Sequence, residues 1–155
     1  MKIMYKMASI AVFLMVSYSM QAQIITSHRQ NYFNKYADKL PANESELEKA
    51  FSTAEGGKVK VNFGDFSFYG IVTSSIKRYE NLQSIIVKSP DLNNTLLAIS
   101  RRINDDKTVS YVGHILNEKY ADGFELRKDK NGSYEINKIK TDALIEDYWF
   151  EKPLP

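Results

Sequence analysis

Lys58-Val59-Lys60-Val61-Asn62-Phe63-Gly64-Asp65-Phe66-Ser67-Phe68-Tyr69-Gly70-Ile71-Val72 carries the period that decides the fold. Val59, Val61 and Phe63 alternate with Lys58, Lys60 and Asn62, and an apolar period of two is the signature of a half-buried strand. Gly64-Asp65 supplies a turn or bulge. Phe66, Phe68, Gly70 and Val72 then line one face of a longer strand, with Tyr69 and Ile71 on the other. A glycine inside such a strand predicts a sharp bend or a close backbone approach at Gly70.

The same cadence continues downstream. Leu82 to Lys88 reads as a third strand, broken by Pro90, and Thr95 to Arg102 as a fourth. Asn104-Asp105-Asp106-Lys107 is a hairpin turn. Thr108 to Leu116 is a fifth strand, apolar on both faces and so expected to be central. Gly123 to Lys128 and Ser133 to Ile139 form a hairpin around Asn131-Gly132, a pair that favours a tight turn with positive φ at both central residues. Turns are thus expected near 64–65, 90–94, 104–107 and 130–132. Short strands at intervals of about ten to fifteen residues argue for an antiparallel sheet that curls or closes.

Upstream the period changes. Ile25, His28, Tyr32, Phe33, Tyr36 and Leu40 recur at helical spacing, predicting a core-facing helix over 25–40 that Pro41 ends. Ser45-Glu46-Leu47-Glu48 reads as a capping box opening a second helix over 45–55, with Leu47, Ala50, Phe51 and Ala54 as its stripe and Gly56-Gly57 as its stop. The expected class is α+β: two short N-terminal helices, then a meander of six or seven antiparallel strands curling into a barrel-like sheet. The expected core includes Phe51, Phe68, Val72, Ile85, Ile99, Val112 and Leu126. The tail is ambiguous. Asp142 to Ile145 looks helical, whereas Tyr148-Trp149-Phe150 looks like strand or docking aromatics.

The N-terminus reads as an address. Lys2 and Lys6 precede an apolar run from Met7 to Val16, followed by a more polar stretch ending at Ala22, the order of a secretory signal peptide. The expected organisation is a signal peptide over 1–22 and one globular domain over 23–155, helical over 23–57 and β-rich over 58–155. A secreted or periplasmic location follows, and no later segment is long enough to span a membrane as an apolar helix. Removal of Lys2 and Lys6 leaves 19 basic and 19 acidic residues, so the chain gives no support for nucleic-acid binding. There is no cysteine. Disulfides and a lipid-modified cysteine are therefore both excluded, and a bacterial exterior or periplasm fits better than a eukaryotic secretory route.

No motif for catalysis stands out. The two histidines, His28 and His114, fall on different elements without a second ligand at a local spacing, so neither is read as a metal ligand. Ser74-Ser75-Ile76-Lys77 matches a Ser-x-x-Lys pattern but ends a strand and lacks the partner motifs. Asp129-Lys130-Asn131-Gly132 begins like a calcium loop, then loses the ligand spacing; a hairpin turn accounts for it. Asp105-Asp106 and Glu146-Asp147 are adjacent carboxylates, which on a strand point to opposite faces. Arg101-Arg102, Lys77-Arg78 and nearby Tyr79 could make a basic patch with an aromatic, but a strand puts Arg101 and Arg102 on opposite faces, and all of these are expected as solvated strand-end residues. No catalytic residue, metal ligand or cofactor site is assigned.

Phe68-Tyr69-Gly70-Ile71-Val72, Ser110-Tyr111-Val112-Gly113-His114-Ile115, Asp122-Gly123-Phe124-Glu125-Leu126 and Gly132-Ser133-Tyr134-Glu135-Ile136 set a glycine, tyrosine and apolar rhythm over 58–140. In this rhythm the chain resembles small exported bacterial β-barrel modules that accompany or inhibit secreted metalloproteases. The resemblance implies a binding module or protease inhibitor and carries over no site residues. The leading expectation is a non-enzymatic exported binding domain with a protein partner, a secreted protease being one candidate, contacted through exposed aromatics such as Tyr79, Tyr148 and Trp149. The alternative is a β-barrel holding a small apolar ligand or lipid, and an enzyme with a dispersed acid/base pair stands third. An apolar cavity in the barrel favours the ligand reading; a filled core with exposed aromatics favours the protein partner.

Overall fold

The structure, a computed structural model, describes residues 29–141. The signal peptide expected over 1–22, His28, and the tail residues Tyr148 and Trp149 lie outside them. Eight strands run in chain order: β1 (Lys39–Ala42), then helix α1 (Glu44–Phe51), β2 (Lys58–Phe63), β3 (Phe66–Tyr79), β4 (Leu82–Ser89), β5 (Thr95–Ile103), β6 (Val109–Leu116), β7 (Asp122–Lys128) and β8 (Tyr134–Lys140). They form one antiparallel sheet in the order β1-β8-β7-β6-β5-β4-β3-β2, curled through half a barrel. From β2 onward it is a meander in sequence order. β1 joins the far edge by pairing with β8, Leu40 opposite Ile136.

Seven of these strands fall where the alternation puts them, and turns occur at all four expected places. Residues facing the hollow align across the whole sheet. Ile85, Ile99, Gly113, Leu126, Ile136 and Leu40 form one continuous row through successive pairings. Val72, Val87, Leu97, Ile115 and Phe124 form the next. At Gly70 the expected close approach is present: a Cβ there would lie 2.6 Å from Val87 Cγ1 and 2.7 Å from the Lys88 carbonyl oxygen. The Asn131-Gly132 turn differs from expectation. Only Gly132 has positive φ, at 84°, because Asp129 Oδ1 accepts the N–H groups of Asn131 and Ser133, both at 2.8 Å, and holds a wider loop.

The first expected helix is not formed over its described part. Residues 31–38 are turns and bends, and 39–42 is the eighth strand. The packing expected of its aromatics is nevertheless there. Phe33 is fully buried, with ring centroids 5.2 Å from Phe124 and 6.0 Å from Phe66, and Tyr32 stacks on Tyr120 at 4.4 Å. The reason is a distant carboxylate. Asp122 accepts the backbone N–H groups of Tyr32 at 2.7 Å and Phe33 at 2.9 Å, so these donors are satisfied without a helix. Pro41, expected as a helix stop, sits instead in β1, an edge strand where a missing N–H is tolerated.

The second helix is shorter than expected and starts one cap earlier. Asn43 is the N-cap, its side chain accepting from Ser45 N at 3.0 Å, and α1 ends at Phe51, before the glycines. The two glutamates of the expected capping box leave in other directions. Two residues apart on a helix means about 200° of rotation. Glu46 accordingly reaches β2, accepting from Asn62 N at 3.1 Å and Nδ2 at 2.8 Å. Glu48 reaches the opposite wall. Leu47 and Ala50, between them, are buried in the hollow. The helix therefore lies across the mouth of the half-barrel, tied to both sides.

Two core expectations need correction. Val112 is 63% exposed, because Tyr111, Gly113 and Ile115 are the residues of β6 that face the hollow and Val112 faces out. Phe51 is half-buried at the end of α1 and packs against the core from its rim.

Candidate functional site

Two regions collect chemically distinctive side chains. The first is the mouth under α1. β5 continues its inward face from Leu97 and Ile99 to Arg101, and β4 does so from Ile85 to Gln83. Arg101 Nη1 donates to Glu48 Oε2 at 2.8 Å and Nη2 to Gln83 Oε1 at 2.8 Å, while its guanidinium lies 4.9 Å from the Phe51 ring centroid. Gln83 Nε2 donates to Ser75 Oγ at 3.1 Å. The Tyr111 hydroxyl donates to Glu48 Oε1. Burial, then this hydrogen bond to a carboxylate, pushes the Tyr111 phenol well above its ordinary range and keeps it protonated.

The backbone around Tyr111 is unusual for the same reason. β6 and β7 pair only from Gly113–Leu126 to Ile115–Phe124. Beyond Gly113 the strands separate, and Tyr134 Oη of β8 accepts the Tyr111 N–H at 2.9 Å in place of a β7 carbonyl. The gap is a cleft of about 340 Å³ walled by Val112, His114, Arg127 and Tyr134. Arg101 is engaged on Glu48 and Gln83, and Tyr111 on Glu48. The set clamps α1 to β5 and β6.

The second region is the outer face of β3–β6. Ile76, Ser84, Ser100 and Val112 form one outward row through successive pairings, with the two serine hydroxyls 2.8 Å apart. Ile76 is 50% exposed and Tyr79, at the β3–β4 tip, 69%. Leu96 is exposed on this face as well, whereas Ile103, also exposed, follows Arg101 on the inner side of β5 at the rim. Two register shifts in β3, between Val72 and Ser74 and between Lys77 and Tyr79, twist this tip away from the hollow.

The residues weighed from the sequence are placed as follows. His114 lies on the outer face beside Ala98 and Glu125, half-buried. Ser74 pairs with Ile86 on the outer face while Lys77 pairs with Gln83 on the inner one, so the Ser-x-x-Lys pair is not assembled. Ser74 lies within β3 rather than at its end. Asp129 serves its hairpin turn. Arg102 faces out and Arg101 in, the split expected from the alternation, but Arg101 is engaged rather than solvated. Among the described residues no three His, Asp or Glu side chains gather as a metal site requires, and no helix is long and apolar enough to cross a membrane. Sequence reasoning missed Glu48 and Tyr111. The available signal was Arg101 itself, a cation continuing the apolar face of Leu97 and Ile99 and so in need of an inward carboxylate.

No protein-family model matches the chain, and no curated protein or solved structure shows significant similarity to it.

Proposed function

We propose that the chain is an exported, non-catalytic binding module whose partner is a protein, contacted through the tip half of the outer sheet face around Ile76, Tyr79 and Val112. The observation that carries this reading is the exposure of Ile76, Tyr79 and Val112 on one face of an ordered sheet, Ile76 and Val112 at the two ends of a row that runs through Ser84 and Ser100. Exposed β-branched and aromatic side chains on a rigid surface desolvate at little entropic cost, which is what an interface core needs. The alternative, an apolar ligand held inside the barrel, would need the space that Phe33, Phe66, Phe68 and Phe124 fill. A secreted protease is the partner class that the sequence resemblance points to, and it is the first to test.

The experiment places a photo-crosslinking residue at position 79 or 112 in the exported protein of living cells, with position 130 at the β7–β8 turn as control. Discrete adducts at 79 and 112, lost on Ile76→Ser, support the reading. Adducts confined to position 130, or none at 79 and 112, sink it. Ser74→Ala and His114→Gln should leave the adducts unchanged; hydrolase turnover that vanishes with either would replace a binding module by an enzyme.

A further inference from the structure

The lower half of the same outer face differs from the tip half in its charge. Lys58, Ile71, Lys88, Leu96 and Leu116 form one outward row across β2–β6 through successive pairings. Below it Lys60 lies over the Tyr69 ring at 4.9 Å, beside a groove of about 480 Å³ walled by Lys58, Tyr69, Ile71, Pro90 and Asp91. No Asp or Glu occupies an outward position of β2–β6. The acids at the margins of this half-face are Glu46, which accepts from Asn62 of β2, Glu55, which accepts from Ser75 N, Asp91 at the groove, Glu125 on β7, ion-paired with Arg127, and Glu118 in the β6–β7 loop. In a chain whose signs otherwise balance, the charged outward strand positions of this half-face are all cationic, set among apolar ones.

The complementary stretch lies in the same chain. Residues 142–155 read Asp-Ala-Leu-Ile-Glu-Asp-Tyr-Trp-Phe-Glu-Lys-Pro-Leu-Pro, with four acids against one lysine and an apolar set of Leu144, Ile145, Tyr148, Trp149 and Phe150. Their point of departure is suitable. Asp122 pairs with Lys140 and Phe124 with Ile115, so β8 ends level with the Leu116–Leu96–Lys88–Ile71 row. From β8 to β3 is five strand spacings, about 24 Å along the sheet, and fourteen extended residues reach about 46 Å.

We propose that residues 142–155 dock on this lower outer face of their own sheet, the apolar run from Leu144 to Phe150 over Leu116, Leu96 and Ile71 and the acids beside Lys88, Lys58 and Lys60. The inference goes beyond the partner reading and stands without it, because it assigns Tyr148 and Trp149 to the chain itself and uses none of Ile76, Tyr79 or Val112.

Trp149 is the sole tryptophan, so fluorescence excited selectively at tryptophan, at wavelengths the ten tyrosines do not absorb, reports the tail alone. The purified protein should show blue-shifted emission and severalfold weaker iodide quenching than a synthetic peptide of residues 142–155. Lys88→Glu, at an exposed position, should move both readings toward the peptide's, and Leu96→Asp should do so further, with far-UV circular dichroism unchanged. Should Leu96→Asp disturb the sheet, Lys88→Glu combined with Asp147→Lys decides: the docked signal should return. Peptide-like emission in the wild-type protein overturns the proposal. So does a shifted signal indifferent to Lys88→Glu, or one that appears only with rising protein concentration, which would seat the tail on a second copy. Ile76→Ser should leave the tryptophan signal untouched, so failure of the partner reading and failure of this one are distinguishable.

Discussion

The two halves of β3 belong to one strand and do opposite things. Phe66 to Val72 buries every second side chain, with Phe66, Phe68 and Val72 almost fully enclosed. Thr73 to Tyr79 buries none, and leaves Ile76 and Tyr79 open to solvent. The first half pairs with β2 and the second with β4, with register shifts between Val72 and Ser74 and between Lys77 and Tyr79. What differs is which residues face inward and what closes over them: Phe66, Phe68 and Val72 in the first half, with the aromatic plug of Phe33, Tyr36 and Phe124 over Phe66, against Ser75 and Lys77 at the rim with its polar clamp in the second, where Ile76 and Tyr79 point outward. A strand's apolar residues become core only where another element closes over them.

The sharpest break of that comparison is Phe66→Ala. Phe66 contacts Phe33, Tyr36, Phe63, Phe68 and Phe124, and truncation should cost about 3–5 kcal/mol in urea unfolding. The matched change in the second half, Ile76→Ala, should stay within about 0.5 kcal/mol in the same measurement. A similar cost at both would mean that the tip is covered after all.

Smaller effects are expected at the clamp. Arg101→Met retains the apolar stem and removes both hydrogen bonds, leaving Glu48 and Gln83 to solvent at this partly open rim. A loss of about 1–2 kcal/mol is expected, and amide exchange in α1 should quicken before that in β3–β5. Equal protection of α1 in wild type and variant would show that Leu47 and Ala50 hold the helix alone.

The subtlest prediction is in pH. The folded Tyr111 phenol titrates above its ordinary value of 10.0, so its stabilising contribution is complete below that pH. Above it the unfolded chain loses the proton while the native state keeps it, and stability falls as pH rises. Tyr111→Phe should flatten that alkaline loss, read as the change in urea midpoint between about pH 8 and about pH 10.5. A wild-type and variant loss of the same steepness would place the phenol in solvent.

How much of this was legible beforehand follows from what each residue depends on. β2 to β8 and their turns were readable because alternation, turn residues and Pro90 act within a few positions of themselves. The parity of β6 was not: Val109, Tyr111, Gly113 and Ile115 compete with Val112 and Leu116 for the inside, and pairing with Ile99 and Leu126 decides it. At the mouth, Glu48 read locally as a capping-box residue, and its contacts with Arg101 and Tyr111 lie 53 and 63 positions away.

By itself the sequence determined a cysteine-free, β-rich chain with a meander from Lys58 to Lys140, since those features rest on composition and on periods two residues long. The tertiary structure alone decided that residues 31–38 pack without a helix and that 39–42 extends the sheet. It also decided which face of each strand is covered and how α1 is clamped across the hollow. The physical reason is range: helical spacing shows which side chains can share a face, but Asp122, about 90 positions along the chain, supplies the acceptor that makes the helix unnecessary.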